Sequence, residues 1–330
     1  MPSTNASKPA PPEERIATAA EASALAAAAA RWPSVALDAE AFRDLEILAT
    51  GAAAPLRGFL GRLDHRSVLD RWRLASGAPW PWPVILPVPP GMLDNLRPGT
   101  RAALRDEAGA LRGVVAVSDA WIRSPREEAL ALHGTESPAH PGAARVLGRP
   151  PGTIGGEVTL VAPGKDRPAL ASSPQAVRGA IARRGWRRAA VVQPRGLPTR
   201  AQAQVLRVAL GLADGIVVQP VPADGDPAGP LGRPTLEAWR AAVERLPTDR
   251  VLVLPSPLAD RNGGGREVLL QAMVRRNQGA SDFLLVREGD LLRPGDGLPA
   301  DLSPAEIGIS IVPFASEFSL PDGDGIAAVA

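Results

Sequence analysis

The stretch Ala189-Ala190-Val191-Val192-Gln193-Pro194-Arg195-Gly196-Leu197-Pro198-Thr199-Arg200-Ala201-Gln202-Ala203 decides the fold. Its first four residues are small or β-branched and apolar, as in a short buried strand. Pro194, Gly196 and Pro198 then break the chain. Gln204-Val205-Leu206-Arg207-Val208-Ala209-Leu210 continues as a helix. A strand, a tight loop and a helix start bring free backbone N–H groups and the positive end of the helix dipole to one place. Such a place binds anions, and Arg195 and Arg200 add positive charge to it. Phosphate or sulfate is the expected ligand class. The stretch holds no His, Lys, Ser or acidic group that would do chemistry on the anion.

The pattern around this stretch alternates. Helices are expected over 176–184, 200–212, 235–245 and 265–277, with strands over 188–193, 215–219, 251–255 and 282–287 and a final strand over 307–314. Such alternation predicts a parallel sheet with right-handed crossovers. Ligands of these sheets bind at the carboxyl ends of the strands. The loops at 193–200, 219–234, 255–266 and 287–297 fall there. Residues 162–174, rich in Pro, Gly and Ser, read as a linker.

Before the linker the chain reads as mainly β with small helices. Prolines keep Trp80-Pro81-Trp82-Pro83-Val84-Ile85-Leu86-Pro87-Val88 extended. Residues 101–106 and 111–117 form a hairpin signal across 107–110, and 158–161 reads as a closing strand. Helices are expected over 65–72 and 125–132. Residues 1–32 read as a disordered Ala/Pro-rich tail, whose Ala-rich part, 14–31, has the propensity for a loose helix. The expected domains are 33–165 and 166–330.

The 330 residues suffice for about two domains and a sizeable core. The formal net charge is +2, and the basic side chains are almost all Arg, with Lys only at Lys8 and Lys165. This gives no electrostatic footprint for nucleic acid. The absence of Cys excludes disulfides, thiolate nucleophiles and Cys-ligated metals. His65, His133 and His140 are the only histidines, each read as packing or capping, and their spacing suggests no metal site. No apolar run reaches the roughly 18 residues of a membrane helix, and the opening lacks the order of a secretory signal. The expectation is a cytoplasmic protein with no membrane partner.

Several motifs follow one another along the chain. The first half carries Asp44-Leu45-Glu46, Gly51, Pro55-Leu56-Arg57-Gly58-Phe59-Leu60, Trp82-Pro83-Val84-Ile85-Leu86, Glu128-Ala129, Gly134-Thr135, His140-Pro141-Gly142 and Gly155-Gly156. The second half carries Gln193 to Ala203, Gln219-Pro220-Val221, Asp260 to Val268, Ala272 to Gly279 and Val286 to Asp290. In this order they resemble the ATP sulfurylase family, the sulfate adenylyltransferases that make adenylyl sulfate and pyrophosphate from ATP and sulfate. The likeness runs from about residue 36 to residue 318. It implies an N-terminal PUA-like β domain followed by a Rossmann-like parallel α/β nucleotidyltransferase domain, an α+β and α/β architecture. The chain ends soon after Phe314, without the extra C-terminal region that many members carry.

The resemblance also implies site residues. Sulfate falls to Gln193, Arg195 and Gly263. The nucleotide falls to Gly196, Thr199, Gln202, Arg261, Gly264, Arg287 and Glu288, and catalysis to Arg195, Thr199 and Gln202. No cofactor is bound tightly, and Mg-ATP is the co-substrate. The family's two motif histidines are Thr199 and Gln202 here, the histidine of its H-P-L is Gln219, and that of its G-R-D-H is lost as well. The Met that opens its M-R-Y-A-G-P-R-E-A is Asp260.

Attack of sulfate on the α-phosphorus needs positioned donors and charge stabilisation. Thr199 and Gln202 donate hydrogen bonds but are neutral and carry no transferable proton. One reading is therefore a sulfate adenylyltransferase-like protein with activity weakened or lost. The other is a non-catalytic relative acting as a regulatory or structural partner in sulfate assimilation or another pathway, with a homo-oligomer as the expected assembly. The lost histidines favour the second on physical grounds. Thr199 also reads as a plain helix N-cap, and Gly263-Gly264-Gly265 as either a turn or an anion nest. A third reading, RNA binding through the β domain and Arg183-Arg184-Gly185-Trp186-Arg187-Arg188, ranks last.

Overall fold

The computed structural model describes residues 12–161, 168–286 and 302–314. The N-terminal part runs α1 (Ala19–Ala29), β1 (Ser34–Ala36), α2 (Ala39–Ala49), β2 (Gly58–Phe59), α3 (Arg62–Arg71), β3 (Leu86–Val88), β4 (Arg101–Arg105), β5 (Leu111–Ile122), α4 (Pro125–His133), α5 (Pro141–Gly148) and β6 (Gly152–Leu160). Its sheet has the order β1-β4-β5-β6-β2, with β3 also on β6. The hairpin of β4 and β5 forms as expected. Asp106 closes its turn, donating its backbone N–H to Ala110 O at 3.0 Å and accepting the Ala110 N–H on its side chain at 2.8 Å.

The sequence reading missed α2 and α5 and placed residues 12–32 in a disordered tail. Helix α2 starts on Asp38, which accepts the Ala41 N–H at 2.7 Å. From Ala41 to Ala49 all its residues but Arg43 are buried. Glu40, Arg43 and Asp44 fall on one face opposite Ala41, Phe42, Leu45 and Leu48, so the helical spacing is present in the sequence. Residues 12–32 are held by both backbone and side chains, the latter including the Glu13–Arg57 ion pair, Arg101 over the Trp32 ring and buried Ala29. Arg15 N–H donates to Ala49 O, Ala17 N–H to Leu160 O, and a Thr18–Glu21 capping box opens α1.

The second part runs α6 (Pro168–Ala171), α7 (Pro174–Arg183), β7 (Ala189–Val192), α8 (Arg200–Leu212), β8 (Gly215–Val218), α9 (Gly232–Ala242), β9 (Val251–Val253), α10 (Gly264–Asn277), β10 (Asp282–Val286), α11 (Pro304–Ile307) and β11 (Ser310–Phe314). All pairings in its sheet, of order β11-β10-β7-β8-β9, are parallel. Two corrections apply to the sequence reading. Part of the expected linker is the turn α6 and the start of α7. The last strand begins at Ser310, because Ser303 caps α11 and Gly308 ends it in a left-handed conformation.

Strand periodicity sorts the core. Ala189 and Val191 of β7 face one cluster, with Leu269 and Met273 of α10, while Ala190 and Val192 face another, with Leu206 of α8 and Trp239 of α9. The first cluster continues without a break into Leu45, Phe59 and Trp82 of the N-terminal part. Helix α10 therefore lies between the parallel sheet and the N-terminal part. Arg266 on its first turn donates to the carbonyls of Val68, Leu69 and Pro81 at 2.7–2.9 Å, and Asn277 on its last donates to those of Ala52 and Ala54.

Candidate functional site

Central strand β7 delivers Gln193-Pro194-Arg195 to the carboxyl edge of the sheet. The loop stays locked to the chain that leaves β8. Gly196 N–H donates to Val221 O at 2.8 Å and Val221 N–H to Pro194 O at 2.9 Å. Trp239 of α9 adds a bond from its indole N–H to Gly196 O at 2.9 Å. Arg195 is thereby fixed at the strand end with its side chain partly exposed.

Behind Gln193 lies Arg275 of α10. It donates to Gln193 Oε1 at 3.2 Å and to Ser256 Oγ at 3.3 Å. Arg275 is fully buried, and burial lowers its pKa to about 9, so it stays charged at neutral pH. Its Nε and Nη1 have no hydrogen-bond partner among the described residues. Gln219 is fully buried on the neighbouring strand end, and neither of its amide atoms has such a partner there. Sequence reasoning missed Arg275. An Arg-Arg pair near a helix end reads as a solvated terminus, and only the burial of α10 reveals otherwise.

Gln193, Arg195, Val221, Asp260, Glu267 and Gln271 line a pocket at this edge. Two of its groups are carboxylates. Asp260 forms an ion pair with Arg195. Glu267 accepts the backbone N–H groups of Arg261 at 2.8 Å and Gly263 at 3.0 Å. The nest considered for a bound anion thus holds a carboxylate of the chain itself. Burial first, and then Asp260 beside it, pushes Glu267 up to about 7. Gly263, expected on sulfate, has a different constraint: a Cβ there would sit 2.3 Å from the Trp82 ring. Gly264 does line the pocket and adopts a φ of +54°.

The other expected residues lie apart from this pocket. Thr199 and Gln202 form a reciprocal capping box at the start of α8, and Gln202 Nε2 also donates to Arg195 O at 3.1 Å. Their hydrogen bonds hold the helix start and the loop. Gly196 serves the turn, with φ of +69°. Arg261 is buried, pairs with Asp44 and Glu40 of α2 and ties the two parts together. Arg287 and Glu288 lie outside the described residues. Trp186, needed for stacking an RNA base, is buried and donates to Asp249 O at 3.1 Å, which removes the platform of the third reading.

His140 caps α5, accepting the Ala143 N–H, and His65 bonds buried Glu128 at 2.9 Å. His133 packs edge-on against Trp82, and its Nδ1 lies 3.1 Å from Asn262 O. Burial, aided by His140 and Arg145, lowers His133 to about 4. A depressed pKa makes its contribution to stability complete above its ordinary value of about 6.5 and lost as the pH falls towards 4. Thermal melts should show a loss of midpoint across that window that is smaller in His133→Asn.

Comparisons with known proteins agree with this architecture. A family profile described as a PUA-like domain matches residues 10–163, and one described as ATP-sulfurylase matches residues 168–290. A sulfate adenylyltransferase of Symbiobacterium thermophilum is 35% identical over 302 residues, 88% of this chain and 76% of that protein. A probable bifunctional SAT/APS kinase 2 of Sorangium cellulosum is 34% identical over 91% of this chain, which spans 53% of it. The solved structure of a hexameric APS kinase from Thiobacillus denitrificans superposes with a TM-score of 0.70 at 27% identity, covering 97% of this chain and 61% of that one.

Proposed function

The chain belongs to the ATP-sulfurylase family, and on that premise we propose that it is a sulfate adenylyltransferase-like protein with weakened activity. The observation that carries the reading is the placement of Gln193 and Arg195 together at the carboxyl edge of β7, on one pocket. We assign sulfate to these two residues. Arg275, behind Gln193, fixes the orientation of its amide. The nucleotide would lie along the loops at Gly196, Gly264 and the segment 287–288, with Mg²⁺ arriving on ATP.

In the family reaction a sulfate oxygen attacks the α-phosphorus, a new P–O bond forms, and the bond to the β-phosphate oxygen breaks to release pyrophosphate. Arg195 would neutralise charge on the attacking anion. Nothing among Thr199, Gln202 and Gln219 carries a positive charge for the leaving pyrophosphate, which is the ground for expecting weak turnover. Each missing preorganised donor costs about 10²–10³ in rate, though such losses do not simply multiply.

A pyrophosphate-release assay with ATP, Mg²⁺ and sulfate tests this. Slow turnover is expected, reduced a further 10²–10³-fold or so in Arg195→Ala. Equal rates in the two proteins would sink the assignment. A second reading is a non-catalytic partner in sulfate assimilation. The Thr199–Gln202 capping box favours it, because both motif positions serve the helix start instead of the pocket. No turnover in the wild-type chain under saturating substrates would select that reading.

A further inference from the structure

The sulfate-binding role assigned to Arg195 has a competitor inside the chain, and the inference below rests on that assignment. Asp260 forms an ion pair with Arg195, and its side chain is only 13% exposed. The pairing is built in from two sides. Asp260 N–H donates to Gly225 O at 2.8 Å. Gly225 has a φ of +78°, and a Cβ there would come within 2.7 Å of Asp260 Cβ, so a residue without a side chain makes room for the carboxylate.

The rest of the pocket offers little to offset a second negative charge. Glu267 is the other carboxylate on its wall, and both of its backbone donors, Arg261 and Gly263, are already engaged. Burial, and then the neighbouring Asp260, already push the Glu267 carboxyl up to about 7. Arg275 is set back behind Gln193. A divalent oxyanion that takes Nη1 of Arg195 therefore has to displace Asp260, while Nη2 already donates to Ala223 O at 3.5 Å.

We propose that Asp260 is a specificity-determining residue, a resident carboxylate that holds Nη1 of Arg195 and competes with the divalent oxyanion for it. The side chain sets how much sulfate the site binds, independently of the residues missing from the nucleotide-facing motifs.

Calorimetric titration of the full chain with sodium sulfate, at constant ionic strength held with chloride, tests this. Asp260→Asn and Asp260→Met should bind sulfate about tenfold more tightly than the wild type, a difference of about 1.4 kcal/mol. Adding Arg195→Ala to Asp260→Asn should abolish the gain. Circular dichroism and melting of both single variants establish that they fold, and the isosteric Asn guards against a packing effect of Met. Folded Asp260 variants that bind no more tightly than the wild type overturn the proposal, as does a gain that persists without Arg195. If Arg195→Ala alone loses sulfate while Asp260→Asn changes nothing, the role of Arg195 stands and the competition falls. If sulfate affinity is the same in every protein, both fall.

Discussion

Replacing Asp44 by alanine is expected to lower the unfolding free energy by about 3–5 kcal/mol, the usual cost of stripping the partner from a buried charge. Arg261 is 7% exposed and pairs with Asp44 and, at 3.4 Å, with Glu40. Burial works against its charge, but Asp44 and Glu40 more than offset burial and its pKa goes up. Without Asp44 the guanidinium keeps its charge, with Glu40 as its remaining salt-bridge partner among the described residues. The pair joins α2 to the 260–263 turn, so the loss acts at the contact between the PUA-like and the ATP-sulfurylase parts. Equilibrium urea unfolding reads it as a lower midpoint at unchanged slope. A midpoint within error of the wild type would mean that Arg261 is held in some other way.

Replacing Trp239 by alanine should cost a comparable amount, about 3–5 kcal/mol, as for other large core aromatics. Trp239 is fully buried between α9 and the β7–β8 face of the sheet. Its indole N–H also holds Gly196 O, the turn that follows Arg195. The milder Trp239→Phe keeps most of the buried ring and removes that bond, worth roughly 0.5–1.5 kcal/mol. Unfolding curves of the two variants separate packing from the hydrogen bond. A phenylalanine variant as unstable as the alanine variant would refute the division.

The parallel half of the fold was legible because its signals are local. Helix α8 spans Arg200–Leu212 as expected, since Thr199 is a strong N-cap and apolar residues recur at helical spacing after it. Strands β7 and β8 are short apolar runs between breakers. The hairpin of β4 and β5 was legible from the turn at 107–110. Helix α2 was legible too, from its Asp38 N-cap and the polar face of Glu40, Arg43 and Asp44, but was missed. The order of residues 12–32 rests on contacts with distant residues, among them Ala49, Leu160, Arg57 and Arg101, which no composition reveals.

The site was legible in part for the same reason. Gln193 and Arg195 follow directly from the strand and its turn. Their partners do not, because Asp260 and Arg275 lie 65 and 82 positions further along the chain and meet the loop only through the folded sheet. The capping role of Thr199 was one of the two readings that the sequence allowed. The internal engagement of the Gly263 amide by Glu267 required the geometry of the 260–264 turn, where Asn262 and Gly264 both take left-handed conformations.

Helix α10 has a consequence for how this chain tolerates change. A substitution there must satisfy two neighbours at once, the sheet on one side and the N-terminal part on the other, so acceptable replacements are few. The loop at 196–202 touches neither of those surfaces with a side chain that both require. Sequence drift is thereby steered towards the rim of the pocket and away from its rear wall. Within the loop, Gly196, Thr199 and Gln202 are themselves tied to the turn and the helix start, so the scaffold on both sides of Arg195 stays recognisable.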